Sequence, residues 1–273
     1  MTLNQPRIHP TAIIDPAAEL ADDVTVGPFA ILEGPIRLGA GTIVRARAHL
    51  IGPLTAGPGN DFGLNVVIGE RAQHLTMADA PGRVEIGANN VFRENATVHR
   101  STQAEVPTRI GNSNFFMVGT HVAHDCIVGN ECILVNGAVI GGNVVVEDRA
   151  LLSGNSAVHQ NGRVGRLALL SACGTATKDL PPFAIQEGRN RLVGVNIIGM
   201  RRAGLSNAQI HAVQQAYRIL LHSGLMMRDA IARIEKELGH IDTAAEIVKF
   251  IRICKRGICV TRSRRDRNFV ENT

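Results

Sequence analysis

Along most of the chain an aliphatic residue or phenylalanine recurs at every sixth position. Ile8, Ile14, Leu20, Val26, Leu32, Leu38, Val44 and Leu50 open the register, Ala56, Phe62 and Ile68 continue it, and Ile86, Phe92 and Val98 resume it after a gap. A second gap follows, and the pattern then runs through Ile110, Phe116, Val122, Val128, Leu134, Ile140, Val146, Leu152, Val158, Val164, Leu170 and Ala176. A period of six matches neither the turn of a helix nor the alternation of one uninterrupted strand. It matches short strands joined by turns, each sending one side chain inward. Gly often follows the aliphatic, as at Gly27, Gly39, Gly69, Gly87, Gly111, Gly129, Gly141 and Gly165, and is expected to supply turn angles barred to other residues. Small or β-branched residues often fill the fifth place.

The two lapses, near 70–84 and 101–108, hold Pro81, Gly82 and Pro107 among polar residues. They are expected to be loops ejected from the repeat, and loops on a rigid solenoid commonly carry function. Pro181-Pro182 ends the pattern. Apolar residues then take helical spacing over 206–222 and 227–238, with a further helix near 242–254; Ser206 and Asp242 read as N-caps, Gly224 and Gly239 as stops. The expected organisation is an all-β solenoid over residues 1–188, a helical domain over 189–258 and a basic, mobile tail over 259–273.

Composition narrows the picture. The chain has no Trp and one Tyr among 273 residues, as suits a narrow interior packed from aliphatics. No apolar run approaches the length a bilayer demands, so no membrane span is expected, and the N-terminus MTLNQPRIHPTA lacks the layout of a secretion signal, which predicts a cytoplasmic protein. Five cysteines without a CxxC pair suggest neither a disulfide frame nor a zinc ribbon, and are expected as buried thiols. Residues 189–273 carry 16 Lys+Arg against 7 Asp+Glu, a net +9 against +5 for the whole chain, so residues 1–188 are net −4. A basic end suits an acidic protein, a phosphorylated ligand or nucleic acid, or is a scattered solvated surface. Sparse aromatics and the lack of a recognition motif argue against nucleic acid.

Candidate chemistry gathers on four histidines, His99, His121, His124 and His159. The pattern resembles the hexapeptide-repeat acyltransferase superfamily, which implies a left-handed parallel β-helix whose three strands, one from each hexad, close a triangular coil. On that count His124, Gly142 and Gln160 share one column, spaced by about 4.8 Å per coil. Acyl transfer needs a base for the attacking hydroxyl and a donor for the developing oxyanion. Histidine suits the first role, the adjacent Asp125 could fix its tautomer, and a glycine leaves its backbone N–H open to substrate.

The segments HPTAII (9–14), RVEIG (83–87), HVAHDCIVGN (121–130), AVHQ (157–160), DLPPFAI (179–185) and GVNI (194–197) make the resemblance more specific. Over about residues 8–258 the chain resembles the bacterial acyl-[acyl-carrier-protein]:UDP-N-acetylglucosamine O-acyltransferase family, which opens lipid A synthesis. The resemblance implies a homotrimer with its site in the cleft between neighbouring β-helices. It implies transfer of a 3-hydroxyacyl chain from acyl carrier protein to the sugar 3-hydroxyl, with no cofactor and no metal. It makes His124 the general base, Asp125 its orienting partner and Gly142 the oxyanion donor. His99, His121, His159 and Gln160 match positions that line the site, Asn196 and Arg202 match nucleotide contacts, and Ala172 matches a position that limits acyl length. An acidic carrier protein would dock on the basic end, with Arg189, Arg191, Arg201 and Arg202 as contacts.

The departures cluster where the family grips its sugar nucleotide. The family carries Asp and Lys at His74 and Thr76, His at Asn143, Glu at Ile198 and a second Arg at Ala203. Each lost charged hydrogen bond is worth about 1.5–3 kcal/mol, so acceptor recognition is expected to be weaker or different. Two other readings stay open. In one, the chain is a relative with altered acceptor specificity or a non-catalytic trimeric β-helix binding protein. In the other it is a metal enzyme of the γ-carbonic anhydrase type; that class pairs histidines five apart, whereas His121 and His124 are three apart and Asp125 abuts the second.

Overall fold

The computed structural model describes residues 7–74 and 82–260. Its hexads wind into a parallel β-helix with three faces, each hexad giving one short strand and one corner. The first face holds nine strands from Ile13–Ile14 to Thr175–Ala176 and the second holds eight from Glu19–Leu20 to Arg163–Val164. The third holds ten from Thr25–Val26 to Arg191–Val195. Strand partners lie three hexads apart in undisturbed runs, as in His121↔Val139. The offset grows by two hexads at Val67↔Thr97 and by one at Thr97↔His121, so each lapse adds whole hexads and the register survives. Both insertions, 71–83 and 101–107, emerge where the first face turns into the second. The flanking strands keep their pairing on either side, with one register shift between Ile68 and Glu70.

The sixth-position residues form the interior, buried from Val26 to Ala176. Ile8, in the first described hexad, is 47% exposed. The aromatic residues fit by stacking in a single file: the rings of Phe62, Phe92 and Phe116 lie 5.2 and 4.7 Å apart, tilted by 9° and 3°. One corner carries a buried amide ladder. The Asn90 N–H donates to Asn60 Oδ1, that of Asn114 to Asn90 Oδ1 and that of Cys132 to Asn114 Oδ1, at 2.9, 2.9 and 2.7 Å.

The glycines after the aliphatic serve a different purpose from the one expected. Of the eight, only Gly69 has a positive φ (91°). The others are needed for close approach between coils: a Cβ at Gly111 would sit 2.5 Å from the Gly129 carbonyl oxygen, and one at Gly165 2.3 Å from Pro182 N. Left-handed backbone falls instead two residues later, often on asparagine (Asn65, Asn95, Asn143, Asn155, Asn161), which tolerates it.

The β-structure outlasts the hexads. Ala184–Glu187 continues the third face and pairs antiparallel with Arg191–Val195, so the boundary expected at 188/189 falls inside a hairpin. Antiparallel return carries no hexad signature. Four helices follow: α1 (Ile197–Arg202), which the spacing did not reveal, α2 (Asn207–His222), α3 (Met227–Leu238) and α4 (Asp242–Arg252). Ser206 caps α2 in a capping box with Gln209. Asp242 is the first helical residue of α4 rather than its cap, which is Ile241. The helices dock through the Arg166–Glu246 ion pair at 2.7 Å, the Arg163 guanidinium 3.8 Å over the Phe250 ring, and the Tyr217 hydroxyl donating to the Pro182 carbonyl at 2.6 Å. None of the described helices is long and apolar enough to cross a membrane.

Two further expectations need correction. Cys259 and Val260, assigned to the tail, are tied to the β-helix: Cys259 N–H donates to the Asp179 carbonyl and Leu192 N–H to that of Val260. Residues 261–273 lie outside the described residues. Three thiols (Cys126, Cys132, Cys259) are buried and pushed up to about 12 by that burial, but Cys173 is exposed and Cys254 half-buried. Replacing Phe92 in the middle of the ring stack by Ala should destabilise the protein by about 3–5 kcal/mol, and Leu there by less, read as the unfolding midpoint in denaturant.

Candidate active site

The corner between the first and second faces collects the titratable groups. Asp125 takes a left-handed conformation there (φ 60°), which turns the chain sharply between His124 and the buried Cys126. His124 Nδ1 lies 2.6 Å from Asp125 Oδ2, and both side chains are largely buried. The same carboxylate accepts from Ser101 Oγ (2.5 Å), Thr102 N–H (3.0 Å) and Thr102 Oγ1 (2.7 Å). Burial alone would raise its pKa, but the hydrogen bonds from Ser101, His124 and Thr102 together win and hold it below the usual carboxylate range. Asp125 is therefore a standing negative charge at Nδ1, and the other ring nitrogen of His124 is left for chemistry.

Directly under that imidazole lies Gly142. A Cβ there would come within 2.6 Å of His124 Cε1 and 2.7 Å of Nε2, so only glycine lets the ring lie flat over the corner. Among the described residues the Gly142 N–H has no hydrogen-bond partner, while its carbonyl accepts from Asn161 N–H at 2.8 Å. Asn143 N–H donates to the His124 carbonyl at 3.0 Å, which ties the two corners together. One coil on, the Arg256 guanidinium reaches back from the C-terminal segment to His159 Nδ1 (3.2 Å) and to the Gln160 carbonyl.

More histidines line the approach. The His74 ring stands edge-on to His124 at 5.8 Å, and His99 stands edge-on to His121 at 4.9 Å. His121 Nδ1 pairs with Thr97 Oγ1 at 2.8 Å. His99 is buried, with Nδ1 lacking a hydrogen-bond partner among the described residues. Burial first, then the neighbouring His121, pushes its pKa down to about 4; burial, then His124, lowers that of His121. His99 and His121 are thus neutral at ordinary pH and offer hydrogen bonds without charge.

Thus His74, His99, His121, His124, Asp125, Gly142, Asn143, His159 and Gln160 share one corner. Thr76 lies outside the described residues. Asn196 and Arg202 lie on another corner, between the second and third faces. The Asn196 amide is engaged within its own chain: Nδ2 donates to the Leu167 carbonyl, and Oδ1 accepts from Gly199 N–H to cap α1. Arg202 is exposed on the same helix, next to Ala203, and Ile198 is 65% exposed. Ala172 is on the third corner, exposed beside Cys173. Among the described residues no three His, Cys, Asp or Glu side chains are grouped to share a metal ion. Sequence reasoning missed Ser101, Thr102 and Arg256. Counting coils back from His124 would have put both insertions on its corner, but no local pattern shows that two loop hydroxyls point at Asp125.

The protonation of His99 has a measurable consequence. Between pH 6.5 and about 4 the unfolded chain takes up a proton that folded His99 refuses, so folding stability should fall as pH drops through that window. His99→Gln should flatten the slope of unfolding midpoint against pH, with His121 retaining the remainder.

Comparison with known proteins agrees with this geometry. Residues 107–142 match the bacterial transferase hexapeptide family, and residues 179–259 match the second domain of the UDP-N-acetylglucosamine O-acyltransferase family. An acyl-[acyl-carrier-protein]–UDP-N-acetylglucosamine O-acyltransferase of Anaeromyxobacter sp. is 40% identical over 253 residues, covering 92% of this chain and 98% of that protein. The UDP-N-acetylglucosamine acyltransferase structure from Bacteroides fragilis superposes with a TM-score of 0.88 at 37% identity, covering 91% of this chain and 98% of that one. That from Moraxella catarrhalis gives 0.89 at 34%, covering 93% and 100%. Its repeat, its corner of histidines and its similarity over nearly the whole chain lead to one conclusion: this chain belongs to the acyl-[acyl-carrier-protein]–UDP-N-acetylglucosamine O-acyltransferase family.

Proposed function

We propose that the His124 corner is the catalytic half of a site that moves a 3-hydroxyacyl chain from acyl carrier protein to the 3-hydroxyl of UDP-N-acetylglucosamine, the first step of lipid A synthesis. The observation that carries this reading is the His124 ring lying over Gly142 while its Nδ1 is held by Asp125. His124 Nε2 takes the proton of the sugar hydroxyl as its oxygen attacks the thioester carbonyl. The Gly142 N–H, free of internal partners among the described residues, donates to the oxyanion that forms. Collapse breaks the C–S bond, and the imidazolium returns its proton to the departing thiolate. Asp125 stays ionised throughout and stabilises the imidazolium. His99, His121, His159 and Gln160 line the approach, and the reaction needs no cofactor beyond the carrier-borne acyl chain.

The other half comes from a second copy. The outward side of the second face is charged, with ion pairs Glu19–Arg37 and Glu85–Arg109. The third face instead presents Ile43, Val91, Phe115, Ile133, Leu151 and Leu169, and the first presents Ile13, Ile31, Val67 and Val139. The corner between them exposes Phe29, Leu64 and Val118. A homotrimer with that corner on its axis buries first face against third. It also sets the His124 corner of one chain against the corner of the next that carries Asn196 and Arg202. Two groups of residues that one chain keeps apart thereby meet in a cleft.

The acidic carrier protein docks on the basic C-terminal end, at Arg189, Arg191, Arg201 and Arg202, and both substrates are met in the cytoplasm. Ala172 adds a methyl where long-chain relatives carry glycine, which shortens the acyl chain accepted. On the acceptor side, an exposed Ile198 where a carboxylate is expected, together with His74, Asn143 and Ala203, favours a loosened grip or a related nucleotide sugar.

His124→Ala should abolish transfer of a 3-hydroxyacyl group from its carrier protein, and Gly142→Ala, whose methyl must displace the imidazole, should lower kcat by about 10²–10³; full activity in the first variant would overturn the base assignment. Ile198→Glu should lower KM for UDP-N-acetylglucosamine by about tenfold or more. An unchanged KM would point to a different acceptor.

A further inference from the structure

Asp125 accepts four hydrogen bonds, and only one comes from His124. The other three come from two consecutive residues of the 101–107 insertion: Ser101 Oγ and Thr102 N–H on Oδ1, and Thr102 Oγ1 on Oδ2 beside His124 Nδ1. Ser101 is 2% exposed, and its hydroxyl direction is settled because Oγ accepts the Gln103 N–H at 2.9 Å and so turns its own proton to Asp125. At the far end of the insertion Thr108 Oγ1 accepts the Asp125 N–H at 2.8 Å. A single departure from the coil thus begins and ends on the same aspartate.

A carboxylate on a corner residue can rotate about two side-chain bonds. One histidine would not hold it, since a single hydrogen bond leaves the plane of the group free. Donors on both oxygens remove that freedom, keep both oxygens acceptors only, and oblige His124 to carry its proton on Nδ1. The lone pair on Nε2 then faces outward.

We infer that Ser101 and Thr102 are positioning residues for acyl transfer: the 101–107 insertion clamps Asp125 through their hydroxyls and so sets the tautomer and direction of the His124 imidazole. This rests on the reading of His124 as the base. The insertion in this view is a part of the catalytic apparatus that never touches substrate.

The test uses the full-length protein with Ser101→Ala, Thr102→Val, both together, and Thr102→Ser, alongside His124→Ala. The double variant should lose about 10–100-fold in kcat, the usual cost of removing partners of an active-site group, with KM for acyl donor and acceptor unchanged within about threefold. Thr102→Ser, which keeps the hydroxyl, should retain nearly full kcat. Nitrogen NMR of histidine-labelled protein, which does not depend on activity, should find His124 as the Nδ1–H tautomer in the parent and as a mixture in the double variant. A double variant with parental kcat and tautomer, or equal losses in Thr102→Ser and Thr102→Val, overturns the inference. If His124→Ala is inactive in that case, the base assignment survives; if His124→Ala is active, the functional reading itself fails. Should the double variant not fold, Thr102→Val, which preserves side-chain volume, is read against Thr102→Ser by the same criteria.

Discussion

Backbone hydrogen bonding between successive coils leaves no freedom of register, because a slip of one residue would exchange every inward aliphatic for an outward polar side chain. Val122 must pair with Ile140, and Ile140 with Val158. The corners between strands are stacked by the same bonds, so a residue placed on one corner has a neighbour three hexads on at the next level. His124 over Gly142 is one such pair. A β-helix converts a linear count into a spatial column, and the site is assembled from that column rather than from a loop that must find its shape. Contacts between coils account for the glycines as well, since neighbouring turns approach too closely for a Cβ.

Charge at the site is organised around a single fixed anion. Asp125 is kept ionised by its donors, while burial keeps His99 and His121 neutral. Neutral rings around the Asp125–His124 pair suit a reaction in which negative charge develops on a thioester oxygen, because they add polar groups without adding charge. Charge is also divided along the chain: residues 1–188 are net −4 and residues 189–273 net +9.

The shape of the prism also limits what one chain can do. Asn196 and Arg202 are carried on a different corner from His124, and the geometry of a triangular solid forbids their meeting within one copy. Departures at His74 and Asn143 fall on the corner of His124, and those at Ile198 and Ala203 beside Asn196 and Arg202, so they divide between the two groups.

The solenoid was legible in the residues, because a period of six fits short strands joined by turns; the three-strand coil, and with it the column of His124, Gly142 and Gln160, came from the resemblance to the hexapeptide-repeat superfamily rather than from the period. Helices α2 to α4 were legible for the same kind of reason, through apolar spacing. The hairpin at 184–195 and α1 were not, since neither repeats, and Cys259 could not be told from a mobile tail without the Asp179 carbonyl that its N–H meets. The reason for the glycines was misread because a local sequence shows which residue lacks a Cβ but not which neighbouring coil would collide with one. The amino-acid order alone determined the register and the dyad; tertiary structure decided that both insertions open on the same corner and that Ser101 and Thr102 turn to Asp125. Side-chain hydroxyls have no periodicity, and their partners are chosen only when distant segments have been brought within hydrogen-bonding distance.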